Sequence, residues 1–579
     1  MEPIGDVHDD VDALATVEEI AAELGRSVAT IRRWCVSGRL SAQKVGKGWL
    51  VYRSSLRNLE GRRRPRPHQP DARANLEVAL DHVVALDLRD RDIGIPDVLR
   101  FQDLLADRSA LLQDVARVLS GDSPLGPTIE VELPKSSFFT RTTQLLTIED
   151  RVAYQAIVAA FAREVDRNLL PTVYGGRLSV DNRKLFLRDG VTDWHAWRRS
   201  LIEQLKAGRE WMVKTDVTAY FDSIQHSLLF ASVEAVSPHE PTLDLLKRML
   251  RHWAIVPGVG IPQGPNASRL LQNAYFYPID LVMSDERWHY SRYVDDIRIL
   301  AKSRADAMIG LKTLERECRR RGLVLSAHKT ALLRSADAMK DLTNPQFAQA
   351  QYQFDRWNHK AAKSILRQLL KQSLRVGDRS VDVRPLRFSL WRLLWLHDRW
   401  ARDRILQRID DLGPAASLVA LYLGVWADDQ KVADHVGRFL LDRERNTSPY
   451  LATWLLAMLL ERRHPPTAPL LIYARSTLRD RNEPAYLRVF AANVLALGRQ
   501  IHDLQWLRDE MRKEFDPYVA RGYLVALARV GQLDNASIAR STARLPVLAR
   551  TVSYLKGRRQ LPSLIHLRRM VEIGEGARV

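Results

Sequence analysis

Cysteine is nearly absent from this chain of 579 residues, which has only Cys35 and Cys318. Without a Cys-x-x-Cys pair there is neither a disulfide framework nor a zinc knuckle, and a reducing cytoplasm is the expected compartment. A long apolar run is also missing. The most apolar stretch, Tyr450 to Leu460, is interrupted by Thr453 and falls well short of the ~20 residues a bilayer requires. No membrane span is expected. The opening MEPIGDVHDDVDA carries acid where an export signal would carry positive charge and then an apolar core, which excludes that route. Acid is otherwise in deficit, with 69 Asp and Glu against 88 Lys and Arg and a formal net charge of +19. Such an excess attracts polyanions, because each neutralised phosphate releases condensed counterions, and nucleic acid is the expected partner. With 46% hydrophobic and 27% charged residues the chain reads as folded protein, and its length calls for several domains.

Residues Thr16 to Leu56 read as two short helices joined at Gly25, the second capped by Ser27 and running through Trp34. A hairpin follows in VGKGWLVYR, with Gly46 and Gly48 at its turn. The unit resembles the winged helix-turn-helix of the excisionase and MerR-like families. That resemblance directs Thr30, Arg32 and Arg33, with Lys47 beside the hairpin turn, towards DNA, while Ile31 and Trp34 pack inward. Similar helix pairs also serve as structural caps. GRRRPRPHQP, from Gly61, reads as an extended, solvated linker or a segment lying along a phosphate backbone. From about Trp357 onward the pattern is that of amphipathic helices, and Pro414, Pro449, Pro484 and Pro517, spaced roughly 35 residues apart, each open an apolar helix. This predicts a helical-pair solenoid whose concave face binds nucleic acid or another subunit, or is a passive scaffold.

Three central segments carry chemistry. In KTDVTAYFDSI, Asp216 ends a β-rich stretch, a position able to hold a metal ion or simply to cap a turn. In HYSRYVDDIRIL, Asp295 and Asp296 lie at the turn between two strand-forming runs. An exposed turn tolerates adjacent carboxylates cheaply and such pairs are common there, whereas the apolar flanks point to partial burial, where a bound divalent cation would offset their repulsion. Phosphoryl transfer explains why such groups would meet, since two cations about 3.5 to 4 Å apart activate the attacking oxygen and stabilise the leaving one. Hard oxygen ligands select Mg²⁺. Between them, GVGIPQGPNASRLLQNAYFYPID is a Gly- and Pro-rich loop feeding a helix that begins near Asn266 or Ala267. Gly264 permits close approach to a substrate and Gln263 can contact nucleotide or template, while Ser268 and Asn273 read as a cap and a helix-surface residue.

TDVTAYFDSI, IPQGPNASRLLQNAYF and YVDD resemble the A, B and C motifs of reverse transcriptases, in their bacterial branch. The resemblance runs from about residue 130 to 335, taking in RTTQLLTIEDR, VYGGR and GLVLSAHKT. It implies Asp216, Asp295 and Asp296 as catalytic metal ligands for two Mg²⁺ ions (Mn²⁺ as a substitute), and Phe221 as the steric gate against a ribose 2′-hydroxyl. By the same resemblance Gln263 and Gly264 line the nucleotide pocket, Arg141 contacts the triphosphate, and Lys329 protonates or neutralises the leaving pyrophosphate. Leu146 replaces the usual finger proline, VYGGRLS departs from the usual pattern, and Ser326 stands where many relatives have asparagine. The expected fold is α+β: right-hand polymerase palm and fingers with an N-terminal winged helix-turn-helix and a C-terminal all-α HEAT-like repeat. Expected boundaries are 1–60 for the winged unit, 61–75 for the linker, 76–335 for fingers and palm, 336–400 for a thumb-like region and 401–579 for the repeats.

The whole arrangement is similar to the abortive-infection and other defence-associated reverse transcriptases of bacteria. It implies deoxynucleotides, an RNA template or DNA product and a homo-oligomer as partners. Alternative readings are a retron- or intron-like enzyme copying a dedicated noncoding RNA, and a catalytically silent DNA-binding regulator. The three aspartates being in place argues against the last.

Overall fold

A computed structural model describes residues 14–23, 27–36, 40, 42–45, 48–52, 72–89, 94–135, 139–180, 184–237, 240–374, 381–556, 558 and 561–563. The chain divides into two compact units, Met1–Asn75 and Leu76–Val579.

In the first unit, strand β1 (Leu14–Thr16) leads into α1 (Val17–Glu23), followed by α2 (Val28–Val36), β2 (Ala42–Val45) and β3 (Gly48–Tyr52). The strands form an antiparallel sheet in the order β1-β3-β2. A reciprocal cap starts α1: the Thr16 N–H donates to Glu19 Oε2 at 2.8 Å and the Glu19 N–H to Thr16 Oγ1 at 3.2 Å. Ser27 caps α2 by accepting from the Thr30 N–H at 3.2 Å. Ile20, Ile31, Leu40 and Val51 are buried together, so Ile31 packs inward as its spacing predicts. Thr30 shares its hydroxyl with Ser27 at 2.9 Å, and Arg33 is exposed. Arg32 is also exposed and pairs with Glu18 at 3.0 Å. Lys47 and the basic segment 61–70 lie outside the described residues.

The second unit begins its strands with a hairpin, β4 (Ile129–Pro134) and β5 (Thr140–Leu145). Then come α3 (Ile148–Asn168), β6 (Val173–Tyr174), α4 (Gly190–Lys206), β7 (Trp211–Asp216) and α5 (Asn266–Met283). Strands β8 (Trp288–Tyr293), β9 (Asp296–Ala301) and β10 (Ala331–Arg334) complete a five-stranded sheet ordered β10-β7-β9-β8-β6. Alternation along β7 and β9 sorts side chains to two faces. Met212 and Leu300 meet Trp197 and Leu201 of α4, whereas Val213, Ile297 and Ile299 join the larger core with Leu271 and Phe276 of α5.

From Ser335 onward every element among the described residues is helical. Helix α6 (Val383–Trp395) precedes a series formed by α7 (Ala416–Gly424), α8 (Gln430–Leu441), α9 (Pro449–Leu459), α10 (Ala468–Arg479), α11 (Ala485–Leu497), α12 (Ile501–Lys513), α13 (Pro517–Arg529) and α14 (Asn535–Arg544). Most pack on the helix two places along: α7 on α9, α8 on α10, α9 on α11, α11 on α13 and α12 on α14. Pro449 and Pro517 sit in the first turn of their helices and Pro484 is the cap residue of α11. Pro414 differs, lying inside the 3₁₀ turn Ile409–Ala415 ahead of α7.

Two features tie the ends of this unit together. Val131 and Leu133 of the hairpin belong to the hydrophobic core of the C-terminal helices, together with Ile95, Val98 and Leu99. Strand β4 rests on α9 and on the 3₁₀ turn, and a Cβ added at Gly413 would come 3.0 Å from Pro134. Arg521 of α13 is buried and donates four hydrogen bonds of 2.6 to 3.0 Å to the carboxylates of Asp97 and Asp103. Thr551 adds a further bond to Asp103 at 2.6 Å.

His289 of β8 gives a pH test of the sheet. Its Nε2 is buried without a hydrogen-bond partner, and burial, reinforced by Arg209, pushes its pKa down to about 4. In the unfolded chain it titrates near 6.5, so between about 4 and 6.5 the unfolded state binds the extra proton and stability rises with pH. The melting temperature of the wild type is expected to fall more steeply than that of His289→Gln as pH is lowered from 6.5 to 4. Parallel profiles would contradict this placement.

Candidate active site

The register of the sheet assembles the acidic groups. Asp216 ends β7 and stands directly opposite Asp296, the first residue of β9. Tyr293 also pairs with Asp296, so Val294 and Asp295 form the two-residue turn between β8 and β9. Like charges facing each other across antiparallel strands are unfavourable. The turn is strained as well: Val294 has φ 57°, a left-handed conformation that a β-branched residue avoids, costing about 1–3 kcal/mol.

Groups beneath the turn hold it. The Val294 N–H donates to the Tyr174 carbonyl at 3.1 Å, and the Val294 carbonyl accepts from Arg292 Nη1 at 3.1 Å. Arg292 is fully buried and forms a bidentate pair with Asp280, both bonds 2.8 Å, and a third bond to Asn273 Oδ1 at 2.7 Å. Tyr290 donates to Asp280 at 2.7 Å. The helix-surface reading of Asn273 is therefore corrected: it is buried, and its Nδ2 donates to the Gly175 carbonyl at 2.9 Å. Ser268 is likewise buried, with its hydroxyl 3.0 Å from that of Tyr154, rather than capping the helix, which starts at Asn266 with Pro265 as its cap residue.

Asp216, Asp295, Asp296, Phe221, Gln263, Gly264, Arg141 and Lys329, all expected at the site, line one cavity of about 990 Å³. Burial, with the repulsion of Asp216 and Asp296, pushes the Asp295 carboxyl up to about 7. Asp216 is raised by burial and by Asp296 and restrained by Lys329, whose Nζ lies 2.6 Å from its Oδ2. Lys329 in turn is held above its usual range by Asp216, despite burial that opposes its charge. Asp296 lies 3.6 Å from Arg298.

This donor set is all oxygen, partly buried and richer in negative charge than its immediate cations offset, which fits a hard divalent ion. Among the described residues, however, no three His, Cys, Asp or Glu side chains form a closed metal-binding cluster; Asp216 is engaged by Lys329.

The walls come from separate segments. Phe221 opens the 3₁₀ turn Phe221–Ser223, and its carbonyl accepts from the Ile261 N–H at 3.1 Å, joining this segment to the Gly-rich loop. Gln263 accepts through its carbonyl from Thr143 Oγ1 of β5 at 3.0 Å. Gly264 has φ 123°, accessible to glycine at little cost. Arg141 of β5 is buried enough to weaken its proton affinity against the pull of Asp222 and Asp295, and its Nε is buried without a hydrogen-bond partner. The replaced residues are accommodated through backbone: the Ser326 N–H donates to the Asp216 carbonyl at 2.7 Å, and the Leu146 carbonyl accepts from Arg151 at 3.2 Å.

Sequence reading missed Asp222, a further cavity carboxylate facing Arg141 and Lys135, although it stands next to Phe221 in TDVTAYFDSI. It also missed the Arg292–Asp280–Asn273 network. A charged pair inside apolar runs was the available signal, since such groups are buried only when paired.

Residues 133–362 match the reverse transcriptase (RNA-dependent DNA polymerase) family, and residues 16–62 match a helix-turn-helix domain family. The chain is 25% identical over 210 residues to Protein YkfC of Escherichia coli (strain K12), covering 33% of this chain and about half, 52%, of that protein. Among solved structures it is similar to apo telomerase from Candida Tropicalis truncated from its C-terminal domain, at 12% identity and a TM-score of 0.25, over 34% of this chain and 48% of the other. Among the described residues no helix is long and apolar enough to cross a membrane. The chain carries a reverse transcriptase domain, preceded by a helix-turn-helix domain.

Proposed function

We propose that this chain is a DNA polymerase, RNA-directed or template-independent, that adds deoxynucleotides by two-metal phosphoryl transfer. The observation that carries the reading is Asp216 facing Asp296 beside the Asp295 turn, in a cavity shared with Arg141, Phe221 and Lys329. Asp216, Asp295 and Asp296 would hold Mg²⁺ or Mn²⁺, which when bound supplies the charge that activates the primer hydroxyl and stabilises the departing pyrophosphate. Lys329 favours the charged form of Asp216 against burial and would place an ammonium beside the leaving group. Arg141 offers an unused donor to the triphosphate. Gln263 and Gly264 form the nucleotide-facing edge of the loop, and Phe221 closes the space beside the sugar.

The stacking of helices two places apart supports a HEAT-like repeat C-terminus, with residues 336–400 as a thumb. A polymerase core followed by such repeats supports a role in bacterial anti-phage defence, with the helix-turn-helix docking DNA through Arg33 and Arg32.

Extension of oligo(dT) on poly(rA) by the full chain tests the activity: incorporation of dTTP is expected with Mg²⁺ and none with a chelator. Phe221→Val is expected to raise UTP use relative to dTTP by roughly tenfold or more, the discrimination one pocket contact supplies. An unchanged ratio would remove Phe221 from the gate.

A further inference from the structure

The catalytic cavity has a wall that the reverse transcriptase domain does not provide. Arg387, on α6 and beyond the matched segment that ends at 362, lines the same cavity as Asp216, Asp295 and Arg141. Its Nη2 donates to the Pro414 carbonyl at 2.8 Å, which fixes one end of the guanidinium to the 3₁₀ turn Ile409–Ala415. That turn is packed on β4, whose Leu133 is the register partner of Arg141. The two arginines are therefore positioned by one packed assembly of hairpin and turn.

They are also close enough to repel, since Arg387 weakens the proton affinity of Arg141. Both guanidiniums line one cavity, and an anion entering it would be drawn to their joint positive charge. Their planar donors match phosphate oxygens, and Arg141 Nε is buried with no partner.

We propose that Arg387 is a second phosphate-binding arginine, supplied by the C-terminal helical region, which with Arg141 holds the triphosphate of the incoming deoxynucleotide. This deepens the polymerase reading and rests on it. Nucleotide binding then requires the C-terminal helices to be docked, so that region contributes directly to the substrate site. The competing source of the same chemistry is a backbone phosphate of the primer or template strand.

The test is equilibrium binding of dTTP with Mg²⁺ to the full chain, alongside binding of a poly(rA)·oligo(dT) duplex. Arg387→Gln removes the charge and leaves a shorter polar side chain, and Arg387→Lys restores charge without the fork. Arg387→Gln is expected to weaken dTTP binding about tenfold, the scale of one charge-assisted hydrogen-bonded contact, with duplex binding within twofold of wild type. Arg387→Lys is expected to recover part of the loss. A purely structural Arg387 would lower the melting temperature of Arg387→Gln and leave dTTP affinity intact, which overturns the proposal. Weakened duplex binding with unchanged dTTP binding assigns Arg387 to the strand and also overturns it. If wild type extends the primer while dTTP affinity is the same in all three proteins, the proposal alone fails; if wild type neither binds dTTP nor extends, the polymerase reading fails with it.

Discussion

Asp295→Asn is expected, on the proposed polymerase reading, to lower dTTP incorporation by about 10³-fold or more while the protein remains folded. The size is that of a ligand lost, in the proposed two-metal mechanism, to the charge that would stabilise both the attacking and leaving oxygens, worth several kcal/mol. The accompanying stability change should have the opposite sign. Asp295 has its carboxyl pushed up to about 7 by burial and two neighbouring carboxylates. A group whose folded pKa lies above its unfolded value costs stability once pH exceeds the unfolded value, near 4. In metal-free buffer at pH 8 the asparagine variant should therefore melt at or above the wild-type temperature. Primer extension and thermal unfolding on the same preparations check this. Wild-type activity in the variant would end the polymerase assignment, and a marked drop in melting temperature would give Asp295 a structural role.

Arg521→Met is expected to produce the largest loss of stability, about 3–5 kcal/mol, because it leaves two carboxylates buried without their partner. Arg521 is hydrogen-bonded to both Asp97 and Asp103, and each of the three is almost fully buried. Neutralising the whole group, with Arg521→Met, Asp97→Asn and Asp103→Asn together, should recover most of the loss, since a buried ion pair contributes little net stability over a neutral replacement. The denaturation midpoint of the second unit reports both effects. A single variant within about 1 kcal/mol of wild type would show that water reaches the pair.

The site was more legible than its support. Asp216, Asp295 and Asp296 stand in short local patterns, and strand pairing brings them together as those patterns imply. The capping residue Ser27 was readable for the same reason, because a cap bonds within three residues. Arg387 and Arg521 were not readable. Each acts at a place set by helix packing, Arg521 on a partner 424 positions away, and no local spacing encodes such a meeting. Pro414 illustrates the limit in a different way: its spacing matches the other prolines, but the turn it occupies is shaped by contact with β4.

The hairpin that carries Arg141 has a consequence for synthesis. Its apolar face is covered by α9 and the turn before α7, which leave the ribosome some 300 residues later, tens of seconds at about 5–20 residues per second. Until then Val131 and Leu133 lack the cover of the C-terminal helices, and of their core partners only earlier residues such as Ile95, Val98 and Leu99 have been made. The hairpin wall of the cavity is thus completed only after α9 has been made, late in translation.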